Sequence, residues 1–231
     1  AEAEEWNDQV SLVSSTAVED ARIGGMVAPA ATEAAAARSD DVASLAENRL
    51  VKGIRRPIQF EDDPHYCLRE PFIDGVRLLA DYDLSFDILI DYRHSGAAVL
   101  LVERCPDTRF VLDHLGKPNI RDHIVDPWRE DLRRLSRFGS VWCKLSGLVT
   151  EADPGEWTPE DLAPYVHHAL ECFGPERLMF GGDWPVSTQA VTYPRWVETV
   201  ETLLSEAGCT DGELDRIFRA NAIECYRLAD P

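Results

Sequence analysis

The sequence predicts an α/β fold, a TIM-like (β/α) barrel of parallel strands, on three observations. Short runs of β-forming residues alternate with longer amphipathic stretches along the chain. The short runs are continuously apolar, the habit of strands covered by helices on both faces. No hairpin signal joins consecutive runs, so the repeated strand-then-helix order argues for a parallel sheet. Six strand runs can be counted where a closed barrel has eight, so the barrel is expected to be incomplete.

Taken in order, a helical stretch near 2–18 opens the chain. The strand runs are ARIGGMVAP at 21–29, RLVKGIRRPI at 49–58, LSFDILID at 84–91, TRFVLDH at 108–114, GSVWCKLSG at 139–147 and ERLMFGGDWPV at 176–186. Helical candidates follow them near 31–47, 71–82, 95–105, 127–137, 159–173 and 194–207, and a last one lies near 211–228. Asp126-Pro127 and Thr158-Pro159 each set a capping side chain before a proline at the expected first helical position. The stretch at 159–173 carries Leu162, Val166, Ala169, Leu170 and Phe173 on one helical face. With 231 residues and 45% hydrophobic content the chain can bury one sizeable core. Residues 1–231 therefore read as a single domain, without long linkers, low-complexity tracts or repeats.

Composition narrows the function classes. Forty-two acidic residues stand against 23 basic ones, a net charge of −19, and Lys52, Lys117 and Lys144 are the only lysines. Such a surface repels nucleic acid and anionic lipid, so neither is an expected partner. It suits a solvated surface, or equally a halophilic one, where salt screens the self-repulsion. No apolar run approaches the ~18 residues of a membrane span. The acidic start AEAEEWND does not read as a secretory signal, and a cytoplasmic location is expected. Six cysteines without a C-x-x-C pair read as reduced core thiols.

Chemistry gathers at the C-terminal ends of the strand runs. Arg55 and Arg56 follow VKGI; Asp91 and His94 follow FDILI; Asp113 and His114 end RFVLDH; Lys144 and Ser146 end VWCKLSG; Asp183 and Trp184 end RLMFGGDW. In a parallel barrel those ends open on one face, where catalytic groups converge. Each residue also has a plainer reading. Asp183 can start a turn, His114 can be a satisfied core histidine, Lys144 can snorkel outward, Arg55 can pair with a carboxylate, and His94 can start a helix. Five consecutive strands ending this way are harder to assign to packing. His65, His123, His167 and His168 lie in loops or mid-helix and read as structural.

The segments RFVLDHLGKPNI, DPWREDLRRLSRFGSVWCKLSGLVTEAD and FGPERLMFGGDWPV resemble signatures of the amidohydrolase superfamily, in its lactonase-type branch. GIRRPIQFEDDP and FDILIDYRH are weaker matches to preceding strands, and together the likeness covers about residues 20 to 228. That branch includes hydrolases of L-fucono-lactone and a pyrone-dicarboxylate lactonase. The resemblance implies that Asp183 is the general base on water and that His114 polarises the carbonyl or binds metal. It implies that Arg55, His94, Lys117, Lys144 and Trp184 line the substrate pocket. One divalent metal, zinc or manganese, held by His114 and Asp183, is one expectation; a site without metal is the other.

The family's first strand ends in His-x-His, and no H-x-H occurs here. By order of motifs, 21–29 corresponds to the family's third strand, so two βα units, roughly 50 residues, have no counterpart. A truncated chain and a degenerate relative both fit. Uncovered strand edges invite a second copy, so a homo-oligomer is expected. The expected activity is opening of a sugar-type or carboxylated lactone by water that Asp183 activates. Amide hydrolysis or non-oxidative decarboxylation on the same fold is one rival, and an inactive homologue serving as a binding or assembly module is another. G-x-S-x-G, G-x-G-x-x-G and Walker motifs are absent, which argues against a serine hydrolase and nucleotide cofactors.

Overall fold

Side chains alternate across a strand, so a sheet covered on both sides sorts its residues into two layers. The computed structural model, which describes residues 2–35 and 39–229, shows this sorting in one six-stranded sheet. Its strands are β1 (Met26–Pro29), β2 (Val51–Pro57), β3 (Ser85–Leu89), β4 (Arg109–Leu112), β5 (Val141–Leu145) and β6 (Leu178–Phe180). Every neighbouring pair is parallel and the spatial order is the order in sequence. Each strand falls inside its predicted run, with shorter ends.

One register row, Ile54–Phe86–Phe110–Val141, faces the helices and is essentially fully buried. Phe72 on α4 (Glu70–Asp81) continues it: Phe72, Phe86 and Phe110 pack edge to face at 5.8 and 6.3 Å between ring centres. Each such ring contributes roughly 1.5–3 kcal/mol by leaving water. The next row, Arg55–Asp87–Val111–Trp142, turns to the other face. There Val111, Trp142 and Met179 form a smaller apolar cluster with Cys225 and Tyr226 from the C-terminal helix. This inner layer is the one that carries charge.

The outer helices are α5 (Ser95–Arg104), α6 (Trp128–Ser136), α8 (Pro159–Phe173) and α9 (Tyr193–Glu206), close to their predicted spans. Thr158 precedes α8 in a capping box, its backbone N–H donating to Asp161 at 2.8 Å. Pro127 is itself the cap of α6, and no side-chain cap bond forms there, so the expected Asp126 cap is one residue out of place. α1 (Glu2–Glu19) matches its predicted stretch. The predicted helix at 31–47 is two helices, α2 (Thr32–Ala35) and α3 (Ser39–Glu47), and the residues between them lie outside the described ones. Gly75 lets α4 approach α2: a Cβ on it would sit 1.8 Å from the carbonyl oxygen of Thr32. A short helix, α7 (Leu148–Glu151), follows β5 directly and was not anticipated. The C-terminal stretch is α10 (Asp211–Asp215), a π-helical turn over Arg216–Ala220, and α11 (Asn221–Tyr226). Asn221 fixes α11 to the base of β6 by donating to the carbonyls of Pro175 and Leu178. No described helix is long and apolar enough to cross a membrane.

Candidate active site

β4 ends in a backbone that β-sheet geometry cannot continue. His114, Leu115, Gly116 and Lys117 all have positive φ, between 49° and 70°. A left-handed turn costs a non-glycine residue roughly 1–2 kcal/mol, and such strain collects at functional sites. Three contacts hold it here. Leu115 is fully buried, its carbonyl accepts from Trp128 Nε1 at 2.6 Å, and the Lys117 carbonyl accepts from the Tyr92 N–H at 3.1 Å. The turn swings the imidazole of His114 over the end of β5. Asp183 after β6 also has a positive φ, 48°. Its loop is pinned by Trp196, which donates to Gly181 O at 2.9 Å, and by Ser187, which donates to Gly182 O at 2.8 Å.

These two loops bring His114 Nε2 to 3.7 Å from Asp183 Oδ1. Both side chains are mostly buried yet reachable, at 12% and 15% exposure. The other ring nitrogen, Nδ1, lies 2.8 Å from the hydroxyl of Ser146 at the end of β5. Burial holds the imidazole below its usual pKa, against the pull of Asp113 and Asp183, so it is neutral at pH 7. The pair can therefore offer a carboxylate base and a neutral imidazole to a small molecule at one point.

Beneath it, on the inner face, lies a buried charge network. Lys144 Nζ is 2.7 Å from Asp87 and 2.7 Å from Asp113, and sits over the Tyr226 ring. Asp113 also pairs with Arg55 at 3.2 Å, and Asp87 accepts from the Tyr226 hydroxyl at 2.6 Å. Burial raises the Asp87 carboxyl, and Lys144 only partly offsets it. Burial raises Asp113 too, but Lys144, His114 and Arg55 outweigh that and hold it well down. The Lys144 ammonium is held above its usual pKa because the two carboxylates outweigh its own burial.

Arg55, His114, Lys144 and Asp183 thus converge at the C-terminal end of the sheet, linked through Asp113. Lys117 reaches the same rim and pairs with Glu151 at 3.4 Å. Trp184 stands beside Asp183, 72% exposed. His94 does not line the opening, a correction to the expectation. It is 1% exposed, Nδ1 lies 3.0 Å from Asp91 and Nε2 3.2 Å from the Glu61 carbonyl. A buried ring with both nitrogens engaged braces two loops and has no atom left for substrate. Lys144, its side chain 20% exposed, stands at the centre of the ion network.

Sequence reading missed Asp87, Glu151 and Tyr226 as members of the site, and placed Ser146 at a strand end without giving it a role. Asp87 had a signal, being the only charge inside FDILI. Glu151 and Tyr226 lie in helices and had none. Burial lifts the Glu151 carboxyl against the pull of Lys117.

A catalytic zinc site takes three protein ligands. His114 and Asp183 are of the right chemistry, but no group of three His, Cys, Asp or Glu residues able to hold a metal exists among the described residues. The donors of the described residues do not make up a metal-holding set, so the expected ligand pair stands incomplete.

A family model described as amidohydrolase matches residues 2–228. An L-fucono-1,5-lactonase of Burkholderia multivorans is 32% identical over 100% of this chain and 80% of its own length. One of Burkholderia ambifaria is 37% identical over 83% of this chain, which spans 66% of that protein. Among solved structures, an amidohydrolase from Burkholderia multivorans with zinc bound superposes with a TM-score of 0.90 at 31% identity, covering 96% of this chain and 80% of that one. A match to the family model over nearly the whole described chain, with relatives above 30% identity, places this chain in the amidohydrolase family.

Proposed function

We propose that the chain carries the catalytic half-site of a lactone hydrolase whose substrate is a neutral, hydroxyl-rich lactone. The observation that carries the reading is the approach of His114 Nε2 and Asp183 Oδ1 to 3.7 Å at the mouth of a parallel sheet. The two relatives named L-fucono-1,5-lactonase support the lactone class. Water held by Asp183 gives a proton to the carboxylate as its oxygen bonds to the lactone carbonyl carbon. His114 donates a hydrogen bond to the oxygen that gains charge. The tetrahedral species then expels the ring oxygen, which takes the proton from Asp183, and the hydroxy acid is complete.

The charge of the site favours a neutral substrate over a carboxylated one. The cations that reach the site are paired: Lys144 with Asp87 and Asp113, Arg55 with Asp113, Lys117 with Glu151. Asp183 faces only a neutral imidazole. A substrate carboxylate would meet carboxylates, and like-charge juxtaposition costs several kcal/mol. Hydroxyl groups suit such acceptors.

The test is hydrolysis of neutral aldono-lactones and of a carboxylated lactone of equal ring size, followed by acid release. The neutral set should exceed the carboxylated one in kcat/KM by at least about tenfold, equivalent to ~1.4 kcal/mol. Preference for the carboxylated lactone contradicts the substrate class, and hydrolysis of neither contradicts the lactone reading.

A further inference from the structure

We infer that Ser146 is a positioning residue that holds His114 as the Nε2–H tautomer, fixing it as a hydrogen-bond donor toward substrate. The inference deepens the proposed reaction and rests on it for the donor's purpose, though not for the tautomer. Ser146 is 1% exposed, and the Nδ1 atom of His114, 2.8 Å away, is the only described hydrogen-bond partner of its hydroxyl. A hydroxyl donates one proton and accepts through its lone pairs. If Nδ1 carried the ring proton, His114 would donate to Ser146, and the buried hydroxyl proton would have no acceptor. An unmatched buried donor is costly. If Ser146 donates to Nδ1, both groups are matched and the ring proton must sit on Nε2. A hydrogen bond at one ring nitrogen sets the role of the other.

The surroundings preserve this one arrangement. A Cβ on Gly147 would stand 2.8 Å from His114 Nδ1, and a Cβ on Gly181 would stand 2.9 Å from the Ser146 Cβ and 3.2 Å from its Oγ. The two glycines flank the pair, leaving room for the imidazole and the hydroxyl. The Nε2–H then points toward Asp183 across 3.7 Å, beyond hydrogen-bond range. An oxygen placed beside the ring accepts from Nε2, the role of a carbonyl oxygen under attack by the water that Asp183 holds. The same proton blocks Nε2 as a ligand for a cation, so in this state His114 acts as an electrophile and Asp183 alone as the base.

Nitrogen-15 NMR of the imidazoles in the full chain reads the tautomer directly, with His114 assigned as the signal lost in His114→Gln. The expected spectrum at neutral pH has a protonated-type Nε2 and an unprotonated, hydrogen-bonded Nδ1. Ser146→Ala should mix the two tautomers, and Ser146→Cys, a weak donor, should fall between. On the best lactone, Ser146→Ala should lower kcat with little change in KM. Partners that orient a functional histidine are worth about 10- to 100-fold where removed from metal-bound ones. A wild-type Nδ1–H tautomer, or an unchanged tautomer in a folded Ser146→Ala protein, overturns the inference. If no lactone is hydrolysed but the spectra behave as stated, the tautomer assignment holds and the proposed reaction fails.

Discussion

His114 Nε2 and Asp183 Oδ1 face each other across 3.7 Å, from turns that both depart from ordinary strand geometry. The gap is too long for a hydrogen bond, and one oxygen atom about 2.8 Å from each would touch both. Both side chains leave a left-handed backbone, His114 at a φ of 56° and Asp183 at 48°. Without the left-handed turn after β4, the imidazole would continue along the strand and miss Asp183.

Gly147→Ala tests that geometry. Gly147 has a φ of 66°, and its new Cβ would press on His114 Nδ1 at 2.8 Å. The backbone alone should lose about 1–2 kcal/mol of stability. Displacing the imidazole by an ångström should lower kcat by about 10²-fold. A denaturant melt and a rate on the same preparation separate the effects. Normal turnover in the folded variant would mean that the position of His114 does not matter.

Lys144→Met tests whether Lys144 is structural. Removing it leaves Asp87, fully buried, with the Tyr226 and Ser85 hydroxyls as its hydrogen-bond donors but no cation, and should cost about 3–5 kcal/mol at pH 7. The loss has a pH sign. Asp87 already has a folded-state pKa above its unfolded value of about 3.9. Losing the ammonium raises it further, so stability falls as the pH rises through that folded value and is recovered toward acid. The difference between wild type and variant should shrink from pH 7 to pH 5. A variant as stable as wild type, with only KM raised, would restore Lys144 as a substrate donor.

The thiols give a check on the core. Burial pushes Cys67 up to about 12 and Cys105 to about 11, and lifts Cys143 and Cys225 as well. Since the thiolate is the reactive form, alkylation of the native chain at pH 8 should reach the half-buried Cys172 and Cys209 first. Mass spectrometry showing early labelling of Cys143 would contradict the packing around β5.

Strand order and site face were legible because apolar runs and their polar ends are local patterns. The His114–Asp183 pair was legible because D-H-L-G-K and G-G-D-W-P mark abrupt departures from a strand. Other members were not. Tyr226 reaches Asp87 from across the chain, and no spacing rule links them. His94 sat at a strand end like the residues that meet at the opening, but a nearby carboxylate and a carbonyl claimed both its nitrogens. Lys144 pairs with two aspartates from neighbouring strands, a network that sequence spacing does not show.

The proposed proton transfer from water to Asp183 is removed by one substitution, Asp183→Asn. Asparagine keeps the shape and the hydrogen-bonding reach, but cannot accept that proton at neutral pH. With the folded state confirmed by thermal melt, kcat on the best neutral lactone should fall by about 10²–10⁴-fold, the usual worth of a general base, while KM changes little. A loss of less than about fivefold with an unchanged melt would contradict the account, because general-base help is worth far more than that.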